Sequence, residues 1–336
     1  MRAATITAIK SFLPDAVLSN QALADLYPNW TADKILEKTG VRERRICAAD
    51  QTAGDLAEAA AQRLFSAHAV APDSIDFLMF CTQTPDYILP ATACLLHARL
   101  GLRQDAGAMD YGLGCSGYVY GLALAKGLIE SGQASRVLLL TCDTYSKLIH
   151  PLDKSVRTLF GDAATATLLE AQASDAPRIG PFVFGADGTG AKSLIVPAGG
   201  FRQPHTADTA REIADESGNI RTDDHLYMDG PSVLNFTLRQ IPKAVEQLLA
   251  LCQSPLDGFD AFIFHQANAF MLERLRRKLA IPEEKFVVHM ADCGNTVSST
   301  IPIALEPLME AAKAQRIMLV GFGVGFSWAA TSVTLH

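Results

Sequence analysis

Along the chain, segments of about ten or more residues with helically spaced apolar positions alternate with short β-branched or aliphatic runs, the pattern of an α/β fold. The N-terminal stretch MRAATITAIKSFLP alternates like a strand, and VLLLTC and IMLVGF are apolar runs of strand length. The two halves of this pattern echo each other. Cys115 opens CSGYVYGLALAKGLIESGQAS and Asn295 opens NTVSSTIPIALEPLMEAAKAQ, with Arg136 and Arg316 each standing 21 residues further on, before those two apolar runs. FGDAATATLLE, from Phe160, resembles GFSWAATSVTLH at the C-terminus, and SIDFLMFCTQTP resembles GFDAFIFHQANA, which sets Cys81 against His265. A repeat this long is not a solenoid unit, whose period is shorter. It predicts a duplicated chain, residues 1–175 and 176–336, meeting in the loop-rich stretch 171–190, each half a sheet covered by helices.

The duplication has a chemical consequence. Cys115 and Asn295 are expected at the starts of pseudo-equivalent helices, and His265 at the end of a strand in the second half. Two such helices packed at a pseudo-twofold axis bring all three polar residues into one cleft. Around Cys115, DYGLGCSGYVYGLALAKG has glycines that permit a tight strand-to-helix turn, followed by a helix apolar on nearly all sides. A thiol at a helix N-terminus feels the positive end of the macrodipole, which predicts a lowered pKa and a nucleophilic thiolate. Cys47, Cys81, Cys94, Cys142 and Cys252 lack that setting and read as small buried hydrophobes. Cys293 lies two residues before Asn295 and is given no role. Taken alone, His265 is as well explained as a core residue and Asn295 as an N-cap; the repeat is what argues for the cleft.

The chain has 336 residues, about half of them apolar, enough to bury a large core. Its net charge of −7 argues against a general nucleic-acid binder. No stretch is long and apolar enough to span a bilayer, and the N-terminus lacks the apolar core of a signal peptide. The seven cysteines are scattered, odd in number and without metal-ligand spacing, which fits a reducing, cytoplasmic compartment and no metal site.

The segments EKTGVRERRI, GLGCSGYVYGLALA, LFGDAATATLLE, HQAN, GNTVSST and GFGVGFSW, in this order, resemble the ketoacyl-ACP synthase III family, the priming β-ketoacyl synthases, over essentially the whole length. The resemblance implies a thiolase fold with duplicated halves in a five-layered α-β-α-β-α arrangement, and a homodimer. It implies a catalytic Cys115, His265 and Asn295, and a second oxyanion hole from the backbone N–H groups of Cys115 and Val324. The reaction implied is ping-pong: an acyl group passes from acyl-CoA or acyl-ACP to Cys115, and malonyl-ACP then undergoes a decarboxylative Claisen condensation. Leu89, Pro231, Leu234 and Phe322 fall at substrate-tunnel positions, Leu89 reaching into the partner subunit's tunnel. No cofactor is implied, since the substrates arrive on the phosphopantetheine of CoA or acyl carrier protein.

The departures from the family concern the donor. Lys34 stands where a tryptophan stacks on the CoA adenine, with Trp30 nearby; Pro231 and Leu234 replace a common asparagine and phenylalanine; Lys38 and Lys154 replace common arginines. These predict an acyl-ACP donor in place of acetyl-CoA, or a role outside bulk fatty-acid synthesis, so that the pathway expected is fatty-acid synthesis or specialised lipid, polyketide or surface-glycan acyl synthesis. Arg274, Arg276, Arg277 and Lys278, on a helix just after His265, form a candidate docking surface for an acidic carrier protein. Two other readings stand beside this one: an ester- or amide-forming acyltransferase on the same fold, and a non-catalytic partner subunit. The polar segment 201–228 is expected as a surface excursion or tunnel lid.

Overall fold

A computed structural model describes residues 1–27, 29–311 and 315–335. His336 lies outside the described residues. The first of two five-stranded sheets contains β1 (Arg2–Phe12), β2 (Phe77–Cys81), β3 (Gly107–Tyr111), β4 (Arg136–Asp143) and β5 (Ala163–Ala173), in the order β1-β5-β4-β2-β3. The second contains β6 (Ile179–Ala186), β7 (Ala261–Phe264), β8 (Phe286–Val287), β9 (Gln315–Gly323) and β10 (Ser327–Leu335), in the order β6-β10-β9-β7-β8. In each sheet the inner strand β2 or β7 is parallel to both neighbours, and the pairs on the far side are antiparallel. The two orders superimpose strand for strand, so Cys81 and His265 fall at and just beyond the ends of equivalent strands.

Six helices fill the layers: α1 (Ala53–His68), α2 (Thr92–Arg99), α3 (Gly117–Glu130), α4 (Gly230–Cys252), α5 (Ala269–Lys278) and α6 (Thr300–Glu310). Helix α3 is apolar nearly all round because it is covered from both sides. Its Tyr118, Val119, Leu122 and Ile129 join Ile301 and Leu305 of α6 in one core with Met79 and Leu139 of the first sheet and Ile263 and Leu319 of the second. On the outer face of the first sheet, Leu56, Leu64 and Leu96 of α1 and α2 meet Phe80 and Leu140. On the outer face of the second, Ile241, Leu248 and Leu272 of α4 and α5 meet Phe262, Phe264 and Val320. The result is the five-layered α-β-α-β-α thiolase fold.

A short antiparallel ribbon, Ala16–Ser19 with Glu43–Ile46, is tied to the second half by Arg42 and Glu43 N–H donating to the Ala291 carbonyl, and is anchored in the first half through Arg44. The Arg44 side chain is fully buried and donates to the Thr158 carbonyl (Nε–O 3.0 Å) and to Asn20 Oδ1. Burial pulls its guanidinium down to about 10, yet it stays charged at neutral pH. Its aliphatic stem lies against the Gly294 turn beside Asn295. Arg44→Met keeps most of the volume but leaves the Thr158 carbonyl and the Asn20 amide short of partners. Urea unfolding should show a loss of about 1–3 kcal/mol.

Candidate active site

Cys115 lies in the turn from β3 into α3 and is 5% exposed. The turn is tight because the chain presses against β2: a Cβ on Gly117 would sit 2.3 Å from Cys81 Sγ. The backbone N–H groups of Cys115 and Val324 both face the Cys115 sulfur. The expected lowering of this thiol is not observed. Burial pushes it up to about 12, the nearby Asp143 carboxylate adds to the rise, and the two N–H groups offset only part of it. Desolvation at this depth outweighs the helix terminus, so the resting group is a neutral thiol. Asp143, fully buried at the end of β4, is itself raised to about 7 by burial, against donation from Ser298 and from the Gln83 N–H.

His265 follows β7 directly and is 2% exposed. The next residues, Gln266-Ala267-Asn268, turn the chain into α5, where Asn268 caps the helix by accepting from Met271 N–H at 2.8 Å. Burial drives the imidazole down to about 3, so it is neutral throughout the physiological range. Its Nδ1 lies 2.8 Å from Thr300 Oγ1, which is also 3.0 Å from the Val297 carbonyl. A hydroxyl directed at Val297 accepts from Nδ1–H and leaves a lone pair on Nε2. A hydroxyl turned to Nδ1 places the proton on Nε2 instead. Thr300 therefore couples to the choice of tautomer, a role for which the sequence holds no local signal.

Asn295 does not open a helix directly. A 3-10 turn, Val297–Ser299, intervenes before α6. The Asn295 Oδ1 accepts from the Val297 N–H at 3.0 Å, which leaves Nδ2 facing His265 Nε2 at 3.5 Å and the Ala267 carbonyl at 3.4 Å. Val297 has φ 55°, a left-handed conformation that a β-branched residue rarely adopts. Such strain costs on the order of 1–3 kcal/mol and persists here because it aims the amide. Backbone pairing with the first half fixes Asn295 from the other side: its N–H donates to the Leu159 carbonyl and its carbonyl accepts from the Gly161 N–H.

Cys115, His265 and Asn295 line a single small cavity of about 40 Å³, together with Phe160, Leu194, Met228 and Phe322. Phe322 presents its ring to the His265 imidazole at 5.6 Å, nearly edge-on. Leu194 and Met228 come from the roots of the 201–228 excursion, which are joined by pairing of Leu194–Ile195 with Tyr227–Met228. Outward from the cavity, Pro231 and Leu234 line a half-open vestibule with Phe270, about 390 Å³ in volume.

The remaining expected site residues are distributed differently. Leu89 is 78% exposed, in a run with exposed Tyr87 and Ile88, and lines none of the cavities described here. Of the four cations after His265, Arg276 and Arg277 both pair with Glu273, and Lys278 donates to the Leu238 carbonyl. Arg274 alone stacks over Phe270, 4.4 Å from the ring centroid, at the vestibule rim. Lys34 and Lys38 lie 5.4 and 5.9 Å from the centroid of the Trp30 ring, which packs on Leu23, Tyr27 and Ile35. Cys94 is exposed rather than buried, because it faces outward from α2.

Neutral His265 has a consequence for stability. Its folded pKa lies below the unfolded value of about 6.5, so its contribution is present above that pH and is lost as pH falls towards about 3. Against a His265→Asn variant, wild type should lose up to about 1.4 kcal/mol more per pH unit between 6.5 and 4. Urea unfolding at pH 7.5 and 4.5 checks this; parallel slopes would mean the imidazole is not held neutral.

Two family models match the chain, 3-oxoacyl-[acyl-carrier-protein] synthase III over residues 109–188 and its C-terminal counterpart over residues 249–335. The chain is 34% identical to the beta-ketoacyl-[acyl-carrier-protein] synthase III of Caldanaerobacter subterraneus, covering 98% of this chain and 97% of that one. It is similar to a 3-oxoacyl-(acyl-carrier-protein) synthase III crystal structure at 58% identity and TM-score 0.98, over 99% of this chain and 100% of that chain. The 3-oxoacyl-(acyl-carrier protein) synthase of Burkholderia xenovorans is 40% identical with TM-score 0.91, over 100% of this chain and 95% of that chain.

Proposed function

The chain belongs to the 3-oxoacyl-[acyl-carrier-protein] synthase III family of condensing enzymes, and on that premise we propose that it joins an acyl thioester to malonyl-ACP through an acyl-Cys115 intermediate, with loss of carbon dioxide. In the first half-reaction the Cys115 sulfur attacks the thioester carbonyl. His265 Nε2, in the tautomer with Nδ1–H on Thr300, takes the thiol proton and returns it to the departing pantetheine thiol. Attack and proton transfer occur together, which suits a sulfur whose resting form is the neutral thiol. The N–H groups of Cys115 and Val324, already facing the sulfur, are placed for the oxygen that develops charge there.

In the second half-reaction malonyl-ACP occupies the same cavity. His265 enters this step in its other tautomer, reached by proton exchange with water after the pantetheine thiol departs and held by the Thr300 hydroxyl donating to Nδ1, so that Nε2–H and the Asn295 amide donate to the malonyl thioester oxygen. Carbon dioxide leaves, the enolate carbon attacks the acyl-Cys115 carbonyl, and breakage of the carbon–sulfur bond frees the 3-oxoacyl product and a Cys115 thiolate, which takes a proton from water to return to the resting thiol. The observation that carries this reading is the fixed direction of the Asn295 amide, whose oxygen is tied to Val297 N–H so that only its donor side meets His265. An ester- or amide-forming transferase has no need of two neutral donors converging on one oxygen.

The donor is proposed to be an acyl-ACP. The Trp30 ring is flanked by Lys34 and Lys38, leaving little free face for an adenine. Arg274 at the vestibule rim is the group best placed for an acidic carrier protein, and salt should raise the carrier's KM. Two surfaces suit a homodimer: the exposed Tyr87-Ile88-Leu89 run, and the outer edge of β3, which among the described residues pairs only with β2. The test is carbon dioxide release from carboxyl-labelled malonyl-ACP, with and without a preceding acyl load. Release and 3-oxoacyl-ACP formation that require both substrates support condensation; acyl transfer to an alcohol or amine without carbon dioxide release overturns it.

A further inference from the structure

A second cavity, of about 410 Å³, opens beside the Cys115 turn, and two of its lining side chains are polar. Its walls are otherwise apolar, including Leu148, Leu194, Leu226 and Val324, and Leu194 is shared with the catalytic cavity. Tyr145 and Gln83 stand in this lining. The Tyr145 hydroxyl donates to Gln83 Oε1 at 2.6 Å, and the Tyr145 ring packs on Phe160 of the catalytic cavity at 5.2 Å between centroids. Gln83 is held from behind by donation of its own N–H to Asp143 Oδ1 at 2.7 Å.

The bond from Tyr145 decides which end of the Gln83 amide is free. With Oε1 engaged, the Nε2 group has two N–H donors and no protein partner among the described residues. The amide sits against the nucleophile's turn: a Cβ on Gly114, the residue before Cys115, would lie 2.4 Å from Gln83 Oε1 and 2.9 Å from Val324 Cγ1. Cys115 packs in one apolar cluster with Tyr145, Leu194, Leu226 and Val324 of this cavity's lining, so a chain attached to Cys115 Sγ that enters the cavity runs alongside the amide. An unsubstituted alkyl chain would desolvate these donors and return nothing to them. A chain bearing an oxygen would pair with them.

From this arrangement we propose that the acyl group accepted by Cys115 carries a hydrogen-bond-accepting oxygen near its thioester end, a 3-hydroxy- or 3-oxoacyl chain, recognised by Gln83 Nε2–H with Tyr145 fixing the amide. The inference rests on the acyl-cysteine reading above. The loading step is a thioester exchange: Cys115 Sγ bonds to the acyl carbonyl carbon, the donor's carbon–sulfur bond breaks, and the Cys115 proton leaves on the pantetheine thiol. No oxidant or reductant enters.

The test uses the full-length protein with octanoyl, 3-hydroxyoctanoyl and 3-oxooctanoyl chains on one acyl carrier protein. Each is supplied alone and then in competition, with adducts counted by intact-protein mass spectrometry. At least one oxygenated chain should load about tenfold or more faster than octanoyl. In Gln83→Leu that ratio should fall to within about twofold of unity. Where Gln83→Leu does not fold, Tyr145→Phe serves, since it releases the amide and should cut the ratio several-fold. Equal loading of all three chains by wild type, faster loading of octanoyl, or a ratio unchanged in the folded variants would overturn the inference while leaving the acyl-cysteine intact. No adduct from any chain would overturn both.

Discussion

Cys115→Ala should carry no acyl adduct after incubation with any thioester that loads wild type, and its turnover should fall by about 10³-fold or more. The size of the effect follows from what the site leaves behind. The N–H groups of Cys115 and Val324 and the neutral imidazole of His265 all serve an atom that the substitution removes. None of the other six cysteines replaces it. Cys81 lies against the same turn, but its thiol donates to the Leu113 carbonyl at 2.9 Å and burial pushes it well above the ordinary thiol range. Intact-protein mass spectrometry reads this outcome directly. An adduct on Cys115→Ala equal to that on wild type would remove Cys115 from the mechanism, and no adduct on folded wild type would favour a non-catalytic partner subunit.

Asn295→Ala should separate the two half-reactions. Acyl loading depends on the sulfur, on His265 as its proton carrier and on the two backbone N–H groups, so removing the Asn295 amide should change it by less than about tenfold. Condensation loses one of two side-chain donors to the enolate oxygen and should slow by about 10²–10³-fold, the usual effect of deleting an oxyanion donor. Single-turnover measurement of adduct formation, followed by carbon dioxide release after malonyl-ACP addition, resolves the two steps. Adding His265→Ala should cost less than the product of the single effects, because both groups act on one oxygen. Equal damage to loading and condensation would mean that Asn295 holds the site together instead of serving the enolate. A stability loss from freeing the Val297 N–H is expected and is checked by unfolding each variant.

The parts of the fold that were legible are those written in local order. The alternation of apolar runs and helical periods gives the α/β class, and the echo between the segments after Cys115 and Asn295 corresponds to α3 and α6, packed together between the sheets. The echo of Cys81 with His265 corresponds to the ends of β2 and β7, the strands parallel to both their neighbours. The expectation for Asn295 was close but misplaced the helix start, because the 3-10 turn at Val297–Ser299 and the left-handed Val297 leave no signature in residue type. The cation cluster after His265 also read as stronger than it is. Glu273 lies within the same segment, and its pairing with Arg276 and Arg277 leaves Arg274 at the rim.

The Cys115 thiol shows most plainly where sequence reasoning ends. A cysteine before a helix reads as a lowered thiol, whereas the fold raises it to about 12, since burial by both halves and the nearby Asp143 carboxylate outweigh the helix terminus and the N–H groups. The sequence by itself determined the order of elements, the duplication, and which residue types could act as nucleophile, donor and cap. Those follow from periodicity and steric preference along the chain. Only the tertiary structure decided the size and walls of the cavity that Cys115, His265 and Asn295 share, that Thr300 couples to the histidine tautomer, and that Tyr145 ties the Gln83 amide oxygen. Protonation, tautomer and amide direction are set by burial and by partners brought in from distant parts of the chain, and neither is a property of any local segment.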